Sequence, residues 1–388
     1  MGAQGREVAK VSLYDQSMAE AFGRFCRAIW PDAQSREPSA ERADHRQEEH
    51  AGARLDAPTF VFVKGDEIVG HVTTIPVRLT VRARTIAAHW IVGFMVLPEH
   101  RNGLVGPLLI KEVNRHLDCA LSLHVEPPVL RILTGLQWVH KGILPQYLRV
   151  LNASGVSRNL RLSGIKSIAR VPVGSTASAS DPFITPLVRV LGGWALAVGQ
   201  ALWIGITFAA RPRPEPAEVR EERGFDDSYD QLWKAVGERF EACLARDRDY
   251  LHRRFGRYPD RYRVLGCRQG GRLLGYCIVK TKQFSDDPRM GNMKVGTIVD
   301  CLFDPSAPAT FQVLLNSVLK TCARDNVHAV LCTASHTAVR QLLRANGFIG
   351  IPGNLNFAYH NRADVALHDV PLGAWHLMRG DGDADQNF

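Results

Sequence analysis

Apolar residues recur along this chain at two periods. Thr59-Phe-Val-Phe-Val and Ile68-Val-Gly-His-Val-Thr-Thr-Ile lie on either side of Lys64-Gly-Asp-Glu. Strand-length apolar runs around a Gly-Asp turn predict a β-hairpin. Val77 to Val81 and Thr85 to Ala88 predict a second hairpin, which leads into the apolar run Ile91 to Leu97. The other period is helical. Met18, Phe22, Phe25 and Ile29 share one face of a helix from about Ser17 to Ile29. Leu108, Leu109 and Val113 share a face of a second helix, opened by Pro107, a residue suited to a first helical turn. Ala120 to Val125 then reads as a strand and Val129 to Leu136 as a short helix.

The same order returns in the second half. Phe62-Val-Lys-Gly-Asp-Glu-Ile-Val-Gly-His-Val is matched by Cys267-Arg-Gln-Gly-Gly-Arg-Leu-Leu-Gly-Tyr-Cys. Ile91-Val-Gly-Phe-Met-Val-Leu-Pro is matched by Ile298-Val-Asp-Cys-Leu-Phe-Asp-Pro. A helix over Phe311 to Arg324, a strand over His328 to Thr333 and a helix over Thr337 to Asn346 follow. Self-similarity on this scale predicts two copies of one fold. A chain of 388 residues suits two domains, expected at 1–170 and 223–388, with a linker at 171–222. That linker holds an uncharged run of 21 residues, Val190 to Ala210, between Arg189 and Arg211. Three readings fit it: a helix packed on the domains, a helix lying in a membrane interface, or a span. Its four glycines, Gln200 and Thr207 weaken the span. Pro31 to Pro58 is polar and aperiodic and reads as a loop or insert; the spacing of His45 and His50 within it suits no zinc site.

Composition narrows the class. At 45% apolar and 22% charged residues the chain is globular. A net charge of +9 attracts anions: nucleic acid, anionic lipid or phosphorylated cofactors. The basic residues are scattered as single side chains, which favours a general surface bias over a nucleic-acid stripe. Eight cysteines without a C-x-x-C pair read as core residues of a reducing compartment, not as disulfides or metal ligands. The first residues lack the basic-then-apolar pattern of a signal peptide. A cytoplasmic location is expected, peripheral to a membrane if the apolar run meets lipid.

The stretch Ile91-Val-Gly-Phe-Met-Val-Leu-Pro-Glu-His-Arg-Asn-Gly-Leu-Val-Gly-Pro-Leu-Leu combines strand, basic Gly-containing turn and helix start. Free backbone N–H groups at such a helix start form an anion site. This stretch closely resembles the pyrophosphate-binding motif of the GNAT acyl-CoA N-acyltransferases. Ala338-Val-Arg-Gln-Leu-Leu-Arg-Ala-Asn-Gly-Phe resembles the family's helix beside the cofactor. The resemblance implies an α/β (α+β) fold of two tandem GNAT-like domains, each a mixed, mostly antiparallel sheet flanked by helices. It implies acetyl-CoA or another acyl-CoA as co-substrate, with no metal. By the same resemblance Phe94, Met95 and Val96 face pantetheine, and Arg101, Asn102, Gly103, Leu104, Val105 and Gly106 hold the pyrophosphate. The family usually has Gly where Leu104 stands. The second copy has Asp304-Pro-Ser-Ala-Pro in place of the basic turn, and an acid there repels pyrophosphate.

The expected reaction is acyl transfer, most simply of acetyl, to a primary amine by direct attack. The acceptor is an amine-bearing small molecule, a sugar or a peptide. Direct attack needs a base, oxyanion donors and an acid for the thiolate. The strand amides near Phe94 to Val96 suit the donors. His89 is the first choice for the base, with His71 and Glu126 as alternatives, and Tyr147 is the choice for the acid. Each also fits a plain packed or surface role. Asp300, in the place of Gly93, fits either a buried hydrogen-bonded carboxylate or a substrate-reading group. Asp381, Asp383 and Asp385 alternate and, if extended, share one face that suits a cationic amine; a solvated tail is the alternative. The rival function is a non-catalytic GNAT-fold binding or scaffold protein.

Overall fold

The computed structural model describes residues 9–29, 57–159, 184–207, 217–288 and 290–385. The expected insert at 31–58, with His45 and His50, falls almost entirely outside them. In chain order the first elements are β1 (Ala9–Leu13), α1 (Ala19–Ile29), β2 (Thr59–Lys64), β3 (Glu67–Val81), β4 (Arg84–Val96) and α2 (Val105–His116). Next come β5 (Cys119–Leu123), α3 (Pro127–Gly135), β6 (Val139–Ile143), β7 (Gln146–Val150), α4 (Ala153–Asn159) and α5 (Ile184–Thr207). Then follow β8 (Glu218–Glu222), α6 (Asp227–Val236), β9 (Ala242–Leu244), α7 (Arg248–Leu251), β10 (Tyr262–Gln269), β11 (Arg272–Gln283) and β12 (Lys294–Phe303). The last are α8 (Pro308–Arg324), β13 (Ala329–Thr333), α9 (Thr337–Ala345), β14 (Ile349–Ile351), β15 (Asn356–Asn361) and β16 (Trp375–His376).

Two mixed sheets carry the fold. The first runs β1-β2-β3-β4-β5-β15-β6 and the second β8-β10-β11-β12-β13-β7-β14. Position by position the two orders match. Along these orders antiparallel hairpins lead to a parallel junction, β4 beside β5 in the first and β12 beside β13 in the second; β9 and β16, a further parallel pair, attach to the first sheet off this path. A break in register precedes each junction, between His71 and Thr73 on β3 and between Ile278 and Val279 on β11. Both sheets bury apolar helix faces. Leu109, Ile110 and Val113 of α2 pack on the first, and Phe311, Leu314, Leu315 and Val318 of α8 on the second.

The compact units are not the contiguous halves expected at 1–170 and 223–388. One comprises residues 1–142 with 355–369, and the other 143–354 with 370–388. Each sheet has an edge beside its parallel junction that needs an antiparallel partner. For β5 that partner is β15, from late in the chain; for β13 it is β7, from early in the chain. An unpaired edge leaves a row of backbone groups unsatisfied, so a strand is bound wherever the edge lies, however distant in sequence. The helix expected over 190–210 is α5, which starts earlier and belongs to the second unit.

Candidate active site

In the first unit β4 and β5 pair only at His89–Ala120 and Trp90–Leu121 among the described residues. Beyond Trp90 the parallel strands part. Gly93 has a φ of +57° and lies in the bulge where β4 slips against β3. A bulge bends its strand away from a neighbour. From Val92 to Val96 every residue of β4 is half-exposed. Phe94, Met95 and Val96, the expected pantetheine residues, all stand on this stretch.

The expected phosphate turn follows at once. Pro98–His100 form a short 3-10 turn, and α2 starts at Val105, two residues ahead of the predicted Pro107. Leu104 is the N-cap, at φ −85° and ψ −5°, with no side-chain capping bond and 72% exposed. That backbone is open to any L-residue, so the turn forms without glycine at 104. A leucine side chain cannot cap, and the first amides of a helix have no partner within it. Pro107 has no N–H. The amides of Val105 and Gly106 therefore remain for an anion. A Cβ on Gly106 would stand 3.2 Å from the Phe94 ring, so glycine eases the close approach of the strand and the helix start. Arg101 is exposed and its Nε donates to the Val96 carbonyl at 3.0 Å. Asn102 and Gly103 lie exposed beside it. These residues fit a phosphate-bearing ligand: a cationic side chain and helix-start amides without a partner in the helix.

The ionisable candidates are placed differently from their order of expectation. His89 pairs with Pro76 and Ala120, where β4 and β5 are still joined. It lies four residues before Gly93, about 13 Å along a strand rising ~3.3 Å per residue. Glu126 is the exposed N-cap of α3. His71 is the imidazole at the bulge. It lies opposite Met95 on β3, fully buried, and its Cε1 would be 3.4 Å from a Cβ on Gly93. Phe22 and Phe25 of α1 pack edge-on against it, each with ring centroids 5.2 Å away. A glycine inside an apolar strand run was the sequence signal for this bulge.

Tyr147, expected in the first domain, lies in β7 of the second unit, paired with Cys332 and Gly350. Its side chain is buried, and its hydroxyl accepts from Arg340 Nε at 3.1 Å.

The second unit repeats the parting of strands and fills it. β12 and β13 pair from Val295–Ala329 to Ile298–Cys332. Beyond that point the end of the chain lies alongside. Gly380 N–H donates to the Val299 carbonyl and His376 Nε2–H to the Cys301 carbonyl, both at 2.7 Å. On the other side Met378 bridges Ala334, and Ser335 N–H donates to the Leu377 carbonyl at 3.0 Å. A Cβ on Gly380 would stand 2.8 Å from the Val299 carbonyl oxygen, so glycine is required there. Accordingly β12 is buried from Val295 to Phe303.

Charge locks this segment in place. Arg246 is fully buried and bonds Asp300 through Nε at 3.0 Å and Asp381 through a terminal nitrogen at 3.0 Å. Tyr276 donates to Asp300 at 2.8 Å, and the Met378 amide donates to Asp381 at 2.8 Å. Two carboxylates share one guanidinium in a dry site, so burial pushes both acids up, Asp381 to about 6. Asp385 is held by Arg254 and by the Tyr262 hydroxyl, the latter at 2.5 Å. The expected extended acidic face does not occur. The tail turns at Gly382, with φ +64°, Asp381 and Asp385 are neutralised inside the unit, and Asp383 is half-buried. Asp300 takes its buried-carboxylate reading. Nothing in the residue pattern pointed to Arg246, which is far in sequence from either acid.

Among the described residues no group of three potential metal ligands occurs, and all eight cysteines are free thiols.

Residues 16–118 match the family model of the acetyltransferase (GNAT) domain. Solved structures share the fold over most of the chain. A probable N-acyltransferase from Enterococcus faecalis V583 aligns with a TM-score of 0.55 at 11% identity, over 92% of this chain and 72% of its own. A GCN5-related N-acetyltransferase from Anabaena variabilis aligns at 0.54 and 9% identity, over 91% and 72%. Saccharomyces cerevisiae N-myristoyltransferase with bound myristoyl-CoA aligns at 0.51 and 14% identity, over 91% and 79%. No curated protein matches the chain. The chain thus has the α/β fold of the GNAT-like acyltransferases, and its residues 16–118 are similar to the acetyltransferase (GNAT) domain.

Proposed function

We propose that the protein is an acyl-CoA-dependent N-acyltransferase that moves an acyl group, most simply acetyl, onto a primary amine by direct attack. The observation that carries this reading is the half-exposed free edge of β4 running straight into the uncapped start of α2. One bound acyl-CoA would lie along the first and place its pyrophosphate at the second. In the reaction the amine nitrogen bonds the thioester carbonyl carbon and the carbon–sulfur bond breaks. A base takes the amine proton, and the departing thiolate takes one in turn. Backbone N–H groups of the Phe94 to Val96 stretch that face away from β3 would meet the charge growing on the carbonyl oxygen. By position the base is His71 before His89. The acceptor class remains an amine-bearing small molecule, sugar or peptide. Titration calorimetry with acetyl-CoA tests the cofactor half, and thiol release over a panel of amines tests the transfer. Binding of one equivalent followed by thiol release supports the proposal. Binding without release moves the protein to the rival scaffold reading, and no binding removes both the turn and the reaction.

A further inference from the structure

The helix α5 is built inside out. Its polar residue Gln200 is buried against β7, where the side-chain amide donates to the Val150 carbonyl at 2.8 Å and accepts from the Val150 amide at 2.7 Å. Its large apolar residues point to water. Trp194, Val198, Leu202 and Ile206 recur every four residues and are 59, 53, 64 and 74% exposed. Trp203 is 40% exposed, with its indole N–H donating to the Arg344 carbonyl at 2.9 Å. The remaining exposed positions from Ala195 to Gly205 are alanine or glycine. A continuous apolar face of this kind marks a surface that is covered in use.

The charges around it say by what. The elements packed against α5 are α4, α9 and β7. Their charged residues are Arg149, Arg158, Arg340 and Arg344, with no acid among them. Arg158 and Arg344 are exposed. From Ile143 to Pro214 the sequence has eight Lys and Arg against one acid, Asp181, which accounts for seven of the chain's nine net positive charges. Along the sequence the basic excess is therefore concentrated in the stretch that contains this helix. No helix among the described residues is long and apolar enough to cross a membrane. An apolar helix face with tryptophans, framed by arginines, suits the boundary between headgroups and acyl chains of an anionic leaflet.

We propose that α5 lies on the surface of an anionic lipid bilayer, with Trp194, Val198, Leu202 and Ile206 in the acyl boundary and the neighbouring arginines on the headgroups. The inference does not depend on acyl transfer. The test is flotation of the full chain with vesicles of phosphatidylcholine alone and of phosphatidylcholine with phosphatidylglycerol. The expected result is flotation with the mixed vesicles, weakened by salt, and a blue shift of tryptophan emission on binding. Leu202→Asp should cut binding at least tenfold with an unchanged thermal midpoint, since the side chain faces water in the free protein. Trp194→Ala, a milder change, should lose several-fold and much of the blue shift. Arg158→Glu should weaken binding to mixed vesicles only. The proposal is overturned if the full chain stays at the bottom of the gradient with mixed vesicles, or if Leu202→Asp floats like the parent. A concentration-dependent dimer that Leu202→Asp dissolves, without vesicle binding, would also overturn it and assign the face to a second copy of the chain.

Discussion

The two parallel junctions, β4 beside β5 and β12 beside β13, share a topology and end in opposite states. β4 is half-exposed from Val92 to Val96, whereas β12 is buried from Val295 to Phe303. By position Val299 and Cys301 correspond to Val92 and Phe94, and their carbonyls are taken by Gly380 and His376. The turns that follow diverge in the same sense. Arg101 and the uncapped start of α2 leave donors for an anion. At the other turn Asp304 Oδ1 accepts from the Ser306 amide at 2.9 Å and the Ser306 hydroxyl at 2.6 Å; α8 also starts without a side-chain cap, so what sets this turn apart is an acid, which repels an anion, where the first has Arg101. One junction is kept for a ligand strand and the other is closed by the protein's own. The lesson is that a parted pair of parallel strands is a site for extended ligands only where the chain does not supply the strand itself.

The sharpest way to break the comparison is to remove the ion that holds the tail. Arg246→Met leaves Asp300 and Asp381 buried without a cation and should cost about 3–5 kcal/mol. Urea denaturation measures it. A loss below about 1 kcal/mol would mean that backbone pairing alone holds the tail.

The basic turn should matter next. Arg101→Glu puts an anion against pyrophosphate and should weaken acetyl-CoA binding by about 2–3 kcal/mol in calorimetry. Asp304→Ala should leave that affinity unchanged. Equal effects at the two turns would erase the distinction between the junctions.

The closed junction should also carry a pH signature. Burial holds His376 well below the usual imidazole range and His336 at about 4. Unfolding lets both return to about 6.5. Above that value neither state gains a proton. As pH falls from about 6.5 toward 4 the unfolded chain binds protons that the folded chain does not, so stability is lost across that window. For His336 the loss should be on the order of 1–3 kcal/mol, and His376 adds to it with the same sign. Thermal midpoints across the window should flatten in His336→Gln, and an unaltered slope would rule that residue out.

The smallest effect is expected at Leu104. Leu104→Gly should change acetyl-CoA affinity by less than about 0.5 kcal/mol, because the residue already has negative φ and points to solvent. A large gain would show that the turn rearranges on binding.

Much of this was legible in the residues. The hairpin of β2 and β3, the strand β4, the helices α1, α2, α8 and α9 and the repeat itself follow from periodicity and turn chemistry, which act between near neighbours. The basic turn was legible for the same reason: its cation, its glycines and its helix start lie within a few residues. The bulge at Gly93 was visible only as a glycine in an apolar run, and His71 beside it only as one histidine among several. Tertiary structure decided the rest. It gave β15 to the first sheet and β7, with Tyr147, to the second, because an open strand edge accepts whichever strand reaches it. It turned Asp381 and Asp385 inward, because Arg246 and Arg254 neutralise them from distant parts of the chain. Local pattern fixes which segments become strands and helices. Which strand fills which edge, and which charges meet in the dark of a core, depends on distances that sequence spacing does not encode.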